Sequence, residues 1–153
     1  FYALDAKTGE EQWSFETGSY TDEEWLDEYG DNIWSSPSIS DGIVYFGCDD
    51  KHLYALDAKT GEEQWSFETE REVTSDPAIF DGIVYFGSWD NYLYALDAKT
   101  GAKQWSFETG KSISLTPTIS NGIVYIGSSD KDEYYLEGNV KRRTHYLYAL
   151  ESI

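Results

Sequence analysis

Ala55-Leu56-Asp57-Ala58-Lys59-Thr60-Gly61-Glu62-Glu63-Gln64-Trp65 is one of three copies of an eleven-residue signature, A-x-D-x-x-T-G-x-x-x-W. The others run from Ala3 to Trp13 and from Ala95 to Trp105. Outward from the signature, Pro37, Pro77 and Pro117 fall forty residues apart, and Gly42, Gly82 and Gly122 keep the same step, as do Tyr45, Tyr85 and Tyr125. A decayed copy closes the sequence as Leu147-Tyr148-Ala149-Leu150-Glu151, with Glu in place of Asp and without the Thr, Gly and Trp. Self-similarity at this period marks a repeat architecture, in which each unit buries its apolar face by stacking on the next.

One unit, residues 77 to 109, reads as four short strands. Pro77 to Phe80 is a brief first strand, and Asp81-Gly82 is a tight hairpin turn, since Gly tolerates positive φ and Asp bonds its own backbone. Ile83 to Gly87, rich in β-branched and aromatic residues, is the second strand; Ser88 to Asn91 turns the chain into the third, Tyr92 to Asp97. After a turn at Ala98 to Gly101, Lys103 to Thr109 alternates Trp105 and Phe107 with polar neighbours, the pattern of a strand with one buried face. No sustained helical period exists, which excludes a helical solenoid. Four antiparallel strands in each of several tandem units describe a β-propeller blade.

The signature, with P-x-I-x-x-G-x-V-Y-x-G ahead of it, resembles the repeat of the PQQ-like propellers, the fold of quinoprotein dehydrogenases. The resemblance covers the chain except for two insertions and implies an all-β, partial propeller of four-stranded antiparallel blades with tryptophan-docking repeats. It implies that Trp13, Trp65 and Trp105 dock on a neighbouring blade. Burying an indole of roughly 150 to 250 Å² is worth about 4 to 6 kcal/mol as an upper bound. Asp5, Asp57 and Asp97, with Thr8, Thr60 and Thr100, stand where a side-chain oxygen can cap the turn closed by Gly9, Gly61 and Gly101. A catalytic use of the same Asp and Thr would require the chemistry to recur in every blade.

The composition admits a packed core, with 40% hydrophobic and 17% aromatic residues. A formal net charge of −18, from 29 acidic against 11 basic residues, disfavours nucleic acid as a partner, because phosphate backbones require clustered Lys and Arg. It suits a solvated surface, a high-salt setting or a cationic partner. No apolar run approaches the length of a membrane-spanning helix. Cys48 is the single cysteine and aligns with Ser88 and Ser128, the pattern of a small residue at a strand end. His52 and His145 lack the paired spacing of a zinc site.

The organisation expected is the third and fourth strands of one blade over 1–17, an insertion over 18–34, blades over 35–69 and 75–109, and an incomplete blade over 115–153 with an insertion over 131–145. Closed propellers have roughly four to eight blades, more than these thirteen strands supply. The sequence opens inside a signature and contains no Met. It is therefore expected to be a piece of a longer propeller or a protomer that completes a ring with another copy.

Near-identical copies are structurally generic, so function is sought where they differ. In a meandering blade, the link from strand four to the next strand one and the link from strand two to strand three emerge on one face, which places both insertions there. The first insertion carries Tyr20, Trp25, Tyr29 and Trp34 among carboxylates, and Thr21-Asp22-Glu23-Glu24 reads as a capping box for one helical turn. The second carries Tyr134 and Tyr135, then the basic Lys141, Arg142 and Arg143. Aromatic residues beside charges typify protein-binding patches; the same rings could instead cover the blades beneath. Asp50, Asp90 and Asp130 recur at the tips of the second-to-third-strand links, where they could ring a calcium ion or simply cap turns.

Two main functions follow. One is a noncatalytic scaffold that binds a protein partner and itself, needs no cofactor and, as the resemblance implies, works outside the cytoplasm in the periplasm or at the cell surface. The alternative is part of a PQQ-dependent quinoprotein dehydrogenase with calcium, which the resemblance implies would need adjacent cysteines that this sequence lacks. A repeat assembly built from consensus copies, with no function of its own, is a third reading.

Overall fold

The computed structural model describes residues 1–18, 32–129, 135–137, 140–142 and 145–151. All of its regular elements are strands. β1 (Tyr2–Leu4) and β2 (Glu11–Ser14) form a two-stranded antiparallel sheet. β3 (Ser38–Ser40), β4 (Ile43–Gly47), β5 (His52–Asp57) and β6 (Glu63–Glu68) form a four-stranded meander. A second meander follows with β7 (Ala78–Phe80), β8 (Ile83–Gly87), β9 (Tyr92–Asp97) and β10 (Lys103–Glu108). In the last sheet β11 (Thr118–Ser120) pairs with β12 (Ile123–Ser129), which pairs with β15 (His145–Glu151).

Between β12 and β15 lies a separate hairpin of β13 (Tyr135–Glu137) and β14 (Val140–Arg142). It brings the strands among the described residues to fifteen, where the sequence reading counts thirteen. The second insertion therefore has regular structure of its own, and His145, placed in it by sequence, opens a strand. The fourth strand of the second meander stops one residue short of the expected Thr109, whose hydroxyl shares its one proton between the carbonyls of Asn91 (2.9 Å) and Lys111 (2.8 Å) where the chain turns.

The hairpin turns follow from local chemistry. Asp81 (φ 49°) and Gly82 (φ 74°) both lie in the left-handed region, as the tightest hairpin turns require. Their counterparts Asp41-Gly42 and Asn121-Gly122 do the same. Between β5 and β6 the register slips beside Leu56, so that Trp65 faces Ala55 while Glu63 faces Leu56 and Gln64 is the extra residue. Gln104 plays this part between β9 and β10. Such a bulge sharpens the local twist and re-aims the adjacent side chain, here the signature tryptophan.

The core lies between sheets. Tyr45, Leu53 and Ala55 of one meander pack on Val84, Phe86, Tyr94 and Leu96 of the next, with Val73 from the intervening link. Tyr85, Leu93, Ala95 and Ile113 repeat the pattern against Val124 and Ile126. Phe1, Trp13 and Phe15 of the first sheet pack on Phe46, Tyr54 and Leu56. Each of the two four-stranded sheets thus buries both faces by contact with its two neighbours, which is how a propeller without a single central core gains stability.

Candidate functional site

The two faces of the disc differ, and the signature accounts for one of them. Asp57 Oδ1 accepts from the amides of Lys59 (2.9 Å) and Thr60 (2.8 Å), and Thr60 Oγ1 accepts from the amide of Glu62 (3.3 Å). Asp5 with Thr8 and Asp97 with Thr100 make the same turn. These hydrogen bonds hold all three carboxyls below the ordinary value of 3.8; the amide of Thr8 leads for Asp5, the amide of Thr60 for Asp57 and the hydroxyl of Thr100 for Asp97. The Ala58 and Ala98 amides donate to the carbonyls of Gly42 and Gly82 (2.8 Å each), which brings the two kinds of turn together on this face.

Here too the blades are riveted. Trp13 Nε1 donates to the carbonyl of Ala58 (3.2 Å) and Trp65 Nε1 to that of Ala98 (3.1 Å), which also accepts from the Tyr45 hydroxyl (2.9 Å). Each indole lies on the glycine of the next signature: a Cβ on Gly61 would stand 2.7 Å from the Trp13 ring, and one on Gly101 would stand 2.8 Å from that of Trp65. Both glycines also have φ near +75°. They are required twice, by the turn and by the neighbouring ring. Trp105 lies tilted against Tyr85 of its own sheet, ring centres 5.8 Å apart, as Trp65 does against Tyr45.

The opposite face carries the links. The Asp49 amide donates to Asn32 O (3.1 Å), Trp89 to Glu72 O (2.9 Å), Val73 to Cys48 O (3.1 Å) and Ile113 to Ser88 O (3.0 Å). Every fourth-to-first link therefore runs along a second-to-third link. Beneath them, the Ser75 hydroxyl both accepts from Gly87 N (2.7 Å) and donates to Gly87 O (2.9 Å), and Ser35 Oγ accepts from Gly47 N (3.0 Å). At the third equivalent position stands Leu115, which is exposed.

Of the aromatic residues singled out by sequence, Trp34 is described: it is 69% exposed, and its Nε1 donates to Asp49 Oδ2 (2.8 Å). Tyr135, Lys141 and Arg142 lie in the β13–β14 hairpin, with Tyr135 opposite Arg142 and Leu136 opposite Lys141. Tyr20, Trp25, Tyr29, Tyr134, Arg143 and the capping box at Thr21 fall outside the described residues. The sequence reading missed Trp89, exposed on this face with Nε1 donating to Thr74 Oγ1 (2.8 Å). The clue was a substitution inside the period, where positions 49, 89 and 129 hold Asp, Trp and Ser.

Asp50 and Asp90 are each hydrogen-bonded within their own link and the strand that follows it. Asp50 Oδ2 accepts from the Tyr54 hydroxyl (2.6 Å) and its Oδ1 from the amide of His52 (3.1 Å). Asp90 repeats this with Tyr94 (2.7 Å) and Tyr92 (3.0 Å). Burial first, and then the carboxylate partner, push the Tyr54 and Tyr94 hydroxyls well above their ordinary value of 10. Asp130 lies outside the described residues, among which no three His, Cys, Asp or Glu side chains are grouped to hold a metal. Cys48 is buried, its thiol pushed up to about 11 chiefly by burial.

A family model described as outer membrane protein assembly factor BamB matches residues 1–140. The chain belongs to that family. Its relatives of known structure include BamB from Moraxella catarrhalis, at 28% identity and a TM-score of 0.67, with 82% of this chain covered. Two quinohemoprotein alcohol dehydrogenases are also similar: ADHIIG of Pseudomonas putida, at 27% identity and a TM-score of 0.63 over 80% of this chain, and the enzyme of Comamonas testosteroni, at 25% and 0.66 over 79%. The chain spans 36% of the length of the first and 19% of each of the others. No curated protein sequence matches it. The architecture is thus that of a partial PQQ-like propeller, and its relatives include both an assembly factor and enzymes.

Proposed function

We propose that the chain is a noncatalytic binding or scaffold module, a piece or protomer of a larger propeller ring, that recognises a protein partner through its link-bearing face. The observation that carries this reading is the hydrogen bond from Asp49 N to Asn32 O, which ties the end of the first insertion to the β4–β5 link. The second insertion occupies the counterpart of that link in the last sheet, so the two departures from the repeat share a face. Membership of a family of outer membrane protein assembly factors supports a protein as partner and an extracytoplasmic setting. No cofactor and no nucleic acid enter this reading.

Two experiments test it. A photo-crosslinking amino acid at position 34 is expected to capture a protein partner in extracts of the source cells, whereas the same probe at position 99, on the turn face, is not. Equal capture from both positions contradicts the reading. The alternative, part of a PQQ-dependent dehydrogenase, draws on the likeness to the alcohol dehydrogenases. Titration with pyrroloquinoline quinone and calcium is expected to give no saturable change in fluorescence; saturable binding with dye reduction by an alcohol would establish the enzyme instead.

Self-association belongs to the same reading. Tyr2 is 68% exposed while its counterpart Tyr54 is 6% exposed, because the face of β1 that carries Tyr2 and Leu4 has no preceding sheet against it among the described residues. In a longer chain another blade would cover it; for these 153 residues a second copy is the candidate. Light scattering is expected to report an oligomer, and a compact monomer would rule the inter-chain ring out.

A further inference from the structure

Three adjacent links on the link-bearing face are stitched by one side chain. Asp76 Oδ1 accepts from the amide of Ser36 (2.6 Å) in the preceding blade, and its Oδ2 accepts from the Thr116 hydroxyl (3.0 Å) in the following one. Trp34 precedes Ser36 by two residues, Thr74 precedes Asp76 by two and holds Trp89, and Leu115 adjoins Thr116. The links joined by Asp76 thus carry a patch of exposed side chains drawn from three blades: Trp34 (69%) and Leu115 (61%) on the outer two, and Trp89 (38%) tied to Thr74 on the middle one.

Both indoles are tethered. In one blade the ring comes from the fourth-to-first link and its acceptor from the second-to-third link; in the next blade the roles are exchanged, so Trp34 on Asp49 becomes Trp89 on Thr74. A ring held by its N–H offers its π-face to a ligand at little cost in side-chain entropy. Asp49 and Asp76 place carboxylates within the patch, on a chain of net charge −18. Aromatic faces beside carboxylates attract ammonium and guanidinium groups and repel acidic segments.

We propose that this patch binds an extended segment of the partner protein in which Lys or Arg alternates with aliphatic side chains, the cations resting on the indole faces and beside Asp49 and the aliphatic groups covering Leu115. The proposal rests on the protein-binding reading of the same face and adds the chemistry of the ligand.

The test uses a fluorescein-labelled alternating Lys-Leu octapeptide and its Glu-Leu counterpart, with binding read by anisotropy. The Lys-Leu peptide is expected to bind saturably, and Trp34→Ala and Trp89→Ala are each expected to weaken it by about threefold to tenfold. Trp34→Phe, which keeps a ring but loses the tether, should fall between. Glu63→Gln, on the outer strand β6, removes one charge elsewhere and should change affinity by less than about twofold. Thermal melts of each variant separate lost binding from lost folding. Binding that is indifferent to both tryptophans, or equal binding of the Glu-Leu peptide, overturns the proposal. If the Lys-Leu peptide fails to bind while crosslinking from position 34 persists, the cationic assignment falls and the face remains a protein-binding one; failure of both removes both.

Discussion

On the turn face the copies are interchangeable, and on the link face they are not. The amides of Thr8, Thr60 and Thr100 each donate to the Asp of their signature at 2.8 Å. Across the disc, equivalent positions hold Trp34, Thr74 and Ser114, or Ser35, Ser75 and Leu115. The difference teaches where constraint lies. The turn face repeats the capped turn in all three copies and, where one signature follows another, seats the preceding indole on the next glycine, Trp13 on Gly61 and Trp65 on Gly101. The link face keeps its backbone hydrogen bonds while its exposed side chains vary, which is the freedom that recognition uses.

Substitutions can break this comparison in order of size. Trp65→Ala removes an inter-blade ring and its bond to Ala98, and should cost about 3 to 5 kcal/mol in urea unfolding. Gly101→Ala adds a methyl group 2.8 Å from that ring at a φ of +73°, and should cost about 2 kcal/mol or more. Ser75→Ala, beneath the links, leaves the buried amide and carbonyl of Gly87 without their hydroxyl partner and should cost about 1 to 2 kcal/mol.

Acid sharpens the comparison from the turn side. Asp5, Asp57 and Asp97 have folded values lowered below 3.8, so the folded state binds protons less readily than the unfolded chain. Their contribution is fully present above that value and is lost as pH falls through the lowered folded values. An Asp57→Asn, Asp97→Asn double variant should therefore lose less stability between about pH 5 and pH 2 than the parent does, as melting temperatures at stepped pH would show.

Much of the fold was legible in the sequence. Ile83–Gly87 and Tyr92–Asp97 are read at their observed ends, because Asp-Gly turns and β-branched runs are local signals. The bulges at Gln64 and Gln104 were not, since a register slip exists only relative to the partner strand. Nor was the second role of Gly61, imposed by Trp13 from another copy. The β13–β14 hairpin has a sequence signal too, the dipeptide Gly138-Asn139, a pair favoured in two-residue hairpin loops. At the candidate site, Trp34 was legible because it borders an insertion. Trp89 and the bridging Asp76 were obscured because each replaces one residue within an unbroken period, and their meaning lies in contacts between blades.

The separation of the two faces is tested most directly by urea unfolding of Trp65→Ala and Trp34→Ala beside the parent chain. Both remove an indole whose N–H is hydrogen-bonded, one on each face. The turn-face variant should lose about 3 kcal/mol or more while the link-face variant stays within about 0.5 kcal/mol. Equal losses, or a larger loss for Trp34→Ala, would contradict a division between the face that holds the blades and the face that is free to bind.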